Sequence, residues 1–143
     1  MKTFDSEIIE LKGSNLIEAS AGTGKTYSIA ILVLRLLLEK GMPIQEILLV
    51  TFTESAAAEL KERTARFIRM ALNEVDVADE DSATDKTIWR IVNKSIGSSS
   101  VQKVKIILNK SLLDIDLASI QTIHSFCQGT LTEFAFETNQ MFS

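Results

Sequence analysis

One cysteine, Cys127, rules out an internal disulfide, and a reducing compartment fits it. One histidine, His124, stands near it, and the pair offers too few ligands for a zinc site. Residues 1–13 contain no apolar signal-peptide core. The richest apolar run, 29–38, is interrupted by Arg35 and is too short to cross a bilayer, so it suits a buried helix and not a membrane partner. Internal repeats and long low-complexity tracts are absent. A cytoplasmic globular chain is expected. At 143 residues, with 45% hydrophobic and 24% charged residues, it has the size and composition of one domain or part of one.

Basic residues are outnumbered, 15 against 19, giving a formal net charge of −4. Such a balance argues against a nucleic-acid partner until its distribution is considered. Asp76, Asp79, Glu80, Asp81 and Asp85 fall within 76–85, a stretch with no Lys or Arg. Apart from those five, 15 basic residues face 14 acidic ones. One acidic loop sets the sign, and a nucleic-acid path needs positive charge only locally.

The pattern predicts a strand over 14–19, a helix over 24–40 and a second strand over 46–52, whose continuous apolar run suits burial on both faces. Gly41 and Pro43 stop the first helix. A second helix is expected over 54–73, with Ala57, Leu60, Thr64, Phe67, Ile68 and Ala71 on one stripe. Glu59 with Arg63 and Glu62 with Arg66 support it at four-residue spacing. Shorter helices are expected over 85–96 and 101–113, with a flexible break at 97–100. A third strand over 118–123 leads into a helix over 125–136. This order is an α/β pattern with a parallel sheet flanked by helices. Residues 138–143 stop without strand or cap logic, as expected of a piece of a longer protein.

The densest chemical signal is Ala19-Ser20-Ala21-Gly22-Thr23-Gly24-Lys25-Thr26. Gly22 and Gly24 let the backbone bring its N–H groups to phosphate oxygens, together with Ser20, Ala21 and Thr23. Lys25 supplies positive charge to the terminal phosphates, and Thr26 offers its hydroxyl to Mg²⁺. An apolar strand before it and a long apolar helix after it are the setting such a P-loop requires, and ATP with Mg²⁺ is the expected cofactor. Ala19 stands where the motif has glycine, and a small residue still permits the turn.

In open parallel sheets ligands bind beyond the carboxyl ends of the strands. The second strand ends in Thr51, Phe52 and Thr53. The hydroxyls could hold a nucleic-acid backbone and Phe52 could stack on a base. Equally, Phe52 could be core and Thr53 a helix cap. The third strand ends in Thr122 and His124, with a capping or solvated histidine as the plain alternative. Asp114 and Asp116 follow an apolar pair, Leu112 and Leu113. As an Mg²⁺ carboxylate, either would make the chain a small P-loop kinase. As turn caps they carry no chemistry.

Three blocks, LIEASAGTGKT (16–26), LVTFTESAAAELKERT (49–64) and SIQTIHSFCQ (119–128), together resemble the opening of the UvrD-like superfamily-one DNA helicases. Among these they are most similar to the RecB (exodeoxyribonuclease V beta subunit) type, and the AddA type shares the second and third blocks. The resemblance implies the N-terminal part of a first RecA-like motor lobe over 1–143, with a helical and loop insertion at 74–117. It implies that Lys25 and Thr26 act on ATP and Mg²⁺, and that Thr51, Phe52, Thr53, Thr122 and His124 meet single-stranded DNA. It further implies RecC- and RecD-like partners, duplex-end DNA as substrate and a role in double-strand break repair. Several family features have no counterpart: a glutamine ahead of the loop that reads adenine, the first glutamine being Gln45, an Asp-Glu after an apolar strand, the later arginine finger, the second motor lobe and the nuclease domain. The chain alone is therefore expected not to turn ATP over, and could behave as a non-catalytic nucleotide-binding module.

Overall fold

The computed structural model describes residues 4–17 and 24–142. The helices are α1 (Lys25–Glu39), α2 (Glu54–Glu74), α3 (Lys86–Ser98), α4 (Val101–Leu113) and α5 (Ile123–Phe142). The strands are β1 (Leu48–Thr51) and β2 (Ser119–Thr122). The strands pair in parallel from Leu48 opposite Ser119 to Thr51 opposite Thr122. With helices α1 to α4 packed together beside this sheet, the α/β class expected from the pattern is found.

Helix α1 is central because apolar residues surround it. Ile31, Leu34 and Leu37 are fully buried and meet Ile68 of α2, Ile88 and Val92 of α3, and Val104 and Leu108 of α4 in one core. The helix ends at Lys40, and Gly41 takes a positive φ of 61°, a left-handed turn that glycine adopts without a Cβ penalty. Helix α2 buries the whole expected stripe from Ala57 to Ala71. Its Glu59–Arg63 and Glu62–Arg66 pairs form at 3.8 Å, a spacing and exposure that contribute only tenths of a kcal/mol, about 0.3–0.5 each. Residues 97 and 98 are not a flexible break. Helix α3 runs through Gly97 to Ser98, and Ser100 caps α4 by accepting a bond from the Lys103 N–H at 3.1 Å.

The expected first strand is not found among the described residues. Residues 14–17 form no strand, and 18 and 19 lie outside the described residues. A strand exists only through its ladder. Here Gly13 turns the chain at φ 62°, and Leu16 stands 88% exposed. Strand β1 is correspondingly covered on one face only: Leu49 packs against the core, whereas Leu48 and Val50 are exposed.

The acidic loop is structural throughout. Asp76 pairs with Lys105, Asp79 caps the short turn Glu80–Ser82, Glu80 pairs with Arg90 and Asp81 with Lys86. Asp85 caps α3 through the Ile88 N–H at 3.0 Å. The stretch that sets the sign of the net charge thus has its carboxylates engaged with neighbours.

Two arginines hold residues 5–9 against the helices. The buried Arg35 donates to the carbonyls of Ser6 and Ile9 at 2.9 and 2.8 Å, while its other nitrogens grip Glu39 bidentately at 2.9 and 3.0 Å. Arg90 makes a bidentate pair with Glu7. Its hydrogen bond holds the Glu7 carboxyl below its ordinary range, against the opposing effect of partial burial. A lowered folded-state pKa stabilises the fold above the unfolded value, and that contribution is lost as the pH falls through the folded value. Urea unfolding is therefore expected to show stability dropping as the pH falls below about 4.3, the unperturbed glutamate value, with Glu7→Gln shallower over that window. An identical acid dependence in wild type and Glu7→Gln would remove Glu7 as a contributor.

Candidate nucleotide and nucleic-acid site

Of the phosphate loop, Ala19, Ser20, Ala21, Gly22 and Thr23 lie outside the described residues. Gly24, Lys25 and Thr26 are described. Gly24 is the N-cap of α1 with φ 79° and ψ 28°, a conformation that favours glycine, and no side chain caps the helix. The first turn contains no acidic residue, and Lys25 is exposed with no ion-pair partner among the described residues. A helix start with free N–H groups, an exposed ammonium group and an adjacent hydroxyl suits a polyphosphate with its metal ion. The start of α1 is anchored by Tyr27. Its ring stands edge-on to Phe67 at 5.3 Å, and its hydroxyl donates to Asp85 Oδ2 at 3.2 Å. Burial pushes the Tyr27 phenol above its ordinary value.

The strand ends form a second locus. Register alone brings the β1–α2 and β2–α5 junctions side by side, because Thr51 and Thr122 are partners in the parallel ladder. Phe52 is 88% exposed, so the core alternative for this ring does not hold. Thr53 is a helix cap: its Oγ1 accepts from the Ala56 N–H at 3.0 Å, and its carbonyl accepts from the Thr51 hydroxyl at 3.2 Å. Thr122 is buried and caps α5, its Oγ1 accepting from the Ser125 N–H at 3.0 Å. His124 is exposed in the first turn of α5. The rim therefore presents Phe52 and His124 outward, while Thr122 shapes it from within.

A parallel strand over 14–19 would deliver Lys25 to this same rim, where ligands of open parallel sheets bind, but residues 14–17 form no strand. Tyr27, at the start of α1, packs on Phe67, which lies about 20 Å along α2 from Thr53 at 1.5 Å per residue. Without that strand nothing forces the two loci together.

The aspartates of the rival reading are engaged elsewhere. Asp114 accepts from Gln45 Nε2 at 3.1 Å and starts the short turn Ile115–Leu117 through its carbonyl. Asp116 pairs with Lys61 at 2.9 Å, and that hydrogen bond lowers its pKa. Among the described residues no group of three or more His, Cys, Asp or Glu side chains could hold a metal ion. No helix among them is long and apolar enough to cross a membrane.

The UvrD/REP helicase N-terminal domain family matches residues 2–143. The chain belongs to this family. Similar proteins include the RecBCD enzyme subunit RecB of Escherichia coli K12, at 38% identity over 149 residues covering 99% of this chain and 12% of that protein. The RecBCD enzyme subunit RecB of Haemophilus influenzae is 36% identical over 147 residues, covering 94% and 12%. That of Chlamydia trachomatis is 36% identical over 136 residues, covering 93% and 13%. The helicase domain thus spans about an eighth of the length of these relatives.

Two rim residues of this helicase domain escaped the sequence reading. Glu54 opens α2 yet reaches Thr122 Oγ1 at 3.4 Å and Ser125 Oγ at 3.3 Å. The Thr122-x-x-Ser125 spacing at a strand end is a capping signal that could have singled out Ser125. Nothing local announces the reach of Glu54 across the sheet.

Proposed function

We propose that this chain is the ATP-binding front end of an ATP-dependent, RecB-like DNA helicase subunit that moves along single strands from duplex ends during double-strand break repair. Its setting is the cytoplasm, with RecC- and RecD-like subunits as partners and residues 74–117 as an insertion in the motor lobe. ATP bound with Mg²⁺ would supply the phosphoryl-transfer energy. The loop from Ser20 through Thr26 would hold the phosphates: Gly22 and Gly24 would allow the close backbone approach, Lys25 would supply positive charge to them, and Thr26 would offer its hydroxyl to the metal ion. At the rim, Thr51, Thr53 and Thr122 build the strand-end junctions, while Phe52 and His124 offer a ring and an imidazole to a strand.

The observation that carries the nucleic-acid part is the exposure of Phe52. A large aromatic left almost wholly in solvent at a strand end, beside two helix N-termini, fits sequence-tolerant stacking with phosphates held near free N–H groups. Stacking on one aromatic contributes about 1–3 kcal/mol. Phe52→Ala is therefore expected to weaken binding of a labelled oligothymidine by roughly 5- to 150-fold, with affinity for a non-hydrolysable ATP analogue nearly unchanged. Fluorescence anisotropy at low salt measures the first and calorimetry the second. Equal oligothymidine affinity in the two proteins would show that Phe52 takes no part in strand binding.

A further inference from the structure

Parallel pairing fixes the two rim junctions relative to each other only as far as Thr51 and Thr122. Beyond those residues the ladder ends, and the Phe52 ring and the His124 ring depend on what holds α2 and α5 in place. Among the described residues, the side-chain hydrogen bonds that cross between the junctions converge on one atom, Glu54 Oε1. The Thr122 hydroxyl has one hydrogen to share between Ser125 Oγ at 2.9 Å and Glu54 Oε1 at 3.4 Å, and the shorter contact gives the following order. The Ser125 N–H donates to Thr122 Oγ1 at 3.0 Å, the Thr122 hydroxyl donates to Ser125 Oγ at 2.9 Å, and the Ser125 hydroxyl donates to Glu54 Oε1 at 3.3 Å. The relay starts from the backbone of α5 and ends on the first residue of α2, whose carboxylate is also well placed for the dipole of its own helix.

We propose that Glu54 is a positioning residue, with Ser125 as its relay, that locks the two helix starts into one single-strand-binding surface. The proposal rests on the strand-binding role given to Phe52 and adds what holds Phe52 and His124 in fixed register. Glu54 acts through them and not by touching the strand. Its negative charge repels phosphate, so a direct contact would lower affinity, whereas fixing the rim raises it by removing motion that binding has to arrest.

The test compares oligothymidine binding by wild type, Glu54→Ala, Glu54→Gln, Ser125→Ala, the Glu54→Ala/Ser125→Ala double variant and Phe52→Ala, with ATP-analogue affinity measured alongside. Loss of hydrogen bonds to a charged, exposed group predicts a reduction of about three- to ten-fold for Glu54→Ala and a smaller one for Ser125→Ala, which leaves the Thr122 hydroxyl 3.4 Å from Glu54 Oε1. The double variant should lose no more than Glu54→Ala alone, because removing Glu54 already breaks both contacts that cross to α5. Glu54→Gln keeps the accepting oxygen and should bind at least as well as wild type, and nucleotide affinity should hold in all. If Phe52→Ala weakens binding and Glu54→Ala does not, the positioning role is overturned while the strand-binding reading stands. If wild type fails to bind, or Phe52→Ala is without effect, both are overturned. A parallel loss of nucleotide affinity in Glu54→Ala would mark general unfolding and also overturn positioning.

Discussion

Lys25→Ala is expected to lower the affinity for a non-hydrolysable ATP analogue with Mg²⁺ by roughly 30- to 150-fold, about 2–3 kcal/mol, on the scale of one charge–charge contact near a protein surface. Lys25 is exposed at the open end of α1, in a first turn that contains no carboxylate. Its ammonium group is therefore free to meet a phosphate and has no competing ion pair to break among the described residues. The free N–H groups at the start of α1 remain in the variant, so binding should be weakened and not abolished. Stability should hardly move, because an exposed lysine at a helix start packs against little. Calorimetry on folded wild type and variant measures the difference, and equal affinities would sink the phosphate-loop assignment for residues 20–26.

What could be read from the sequence divides along the range of the forces involved. Helix α4 occupies 101–113 as expected, because both its apolar spacing and its capping serine are local. Helix α2 begins and ends within a residue of expectation for the same reason. Strand-forming tendency at 14–19 was also visible, but a strand needs a partner, and no local pattern names one. Phe52 could not be assigned to core or surface from composition, since the answer depends on whether a second layer covers that end of the sheet. The structure leaves it open. The three sequence blocks carried the family, and the family match over residues 2–143 agrees with them. The position of Lys25 relative to the rim depends on the strand expected at 14–19, and residues 14–17 form none. Arg35 shows the opposite limit. In the sequence it only interrupts an apolar run. In the fold it is a hub, and two of its partners are the carbonyls of Ser6 and Ile9, groups that every residue carries and that leave no mark in a sequence.

Arg35→Met should accordingly be among the most destabilising single changes in the chain. Arg35 is 4% exposed, and its guanidinium uses Nε, Nη1 and Nη2 at once. Methionine fills much of the space of the aliphatic stem, so the loss of packing is small and the loss of polar contacts dominates. Two carbonyls lose their donor, and the Glu39 carboxylate loses a bidentate partner while its side chain keeps only 22% exposure. Removing one member of a buried ion pair costs about 3–5 kcal/mol, and the partial exposure of Glu39 places this case near the lower end. A loss of about 3 kcal/mol corresponds to a Tm lowered by roughly 10 °C in a domain of this size. Urea unfolding should show the midpoint falling with little change in slope, provided the strap of residues 5–9 stays near the surface in the native state. Glu39→Gln, which removes the charge but leaves Arg35 both carbonyls and one amide oxygen, should cost distinctly less. If Arg35→Met lost under about 1 kcal/mol, the range of an exposed pair, the strap would be held by Arg90 and Glu7 instead. The double variant Arg35→Met/Glu7→Gln would then carry the large effect.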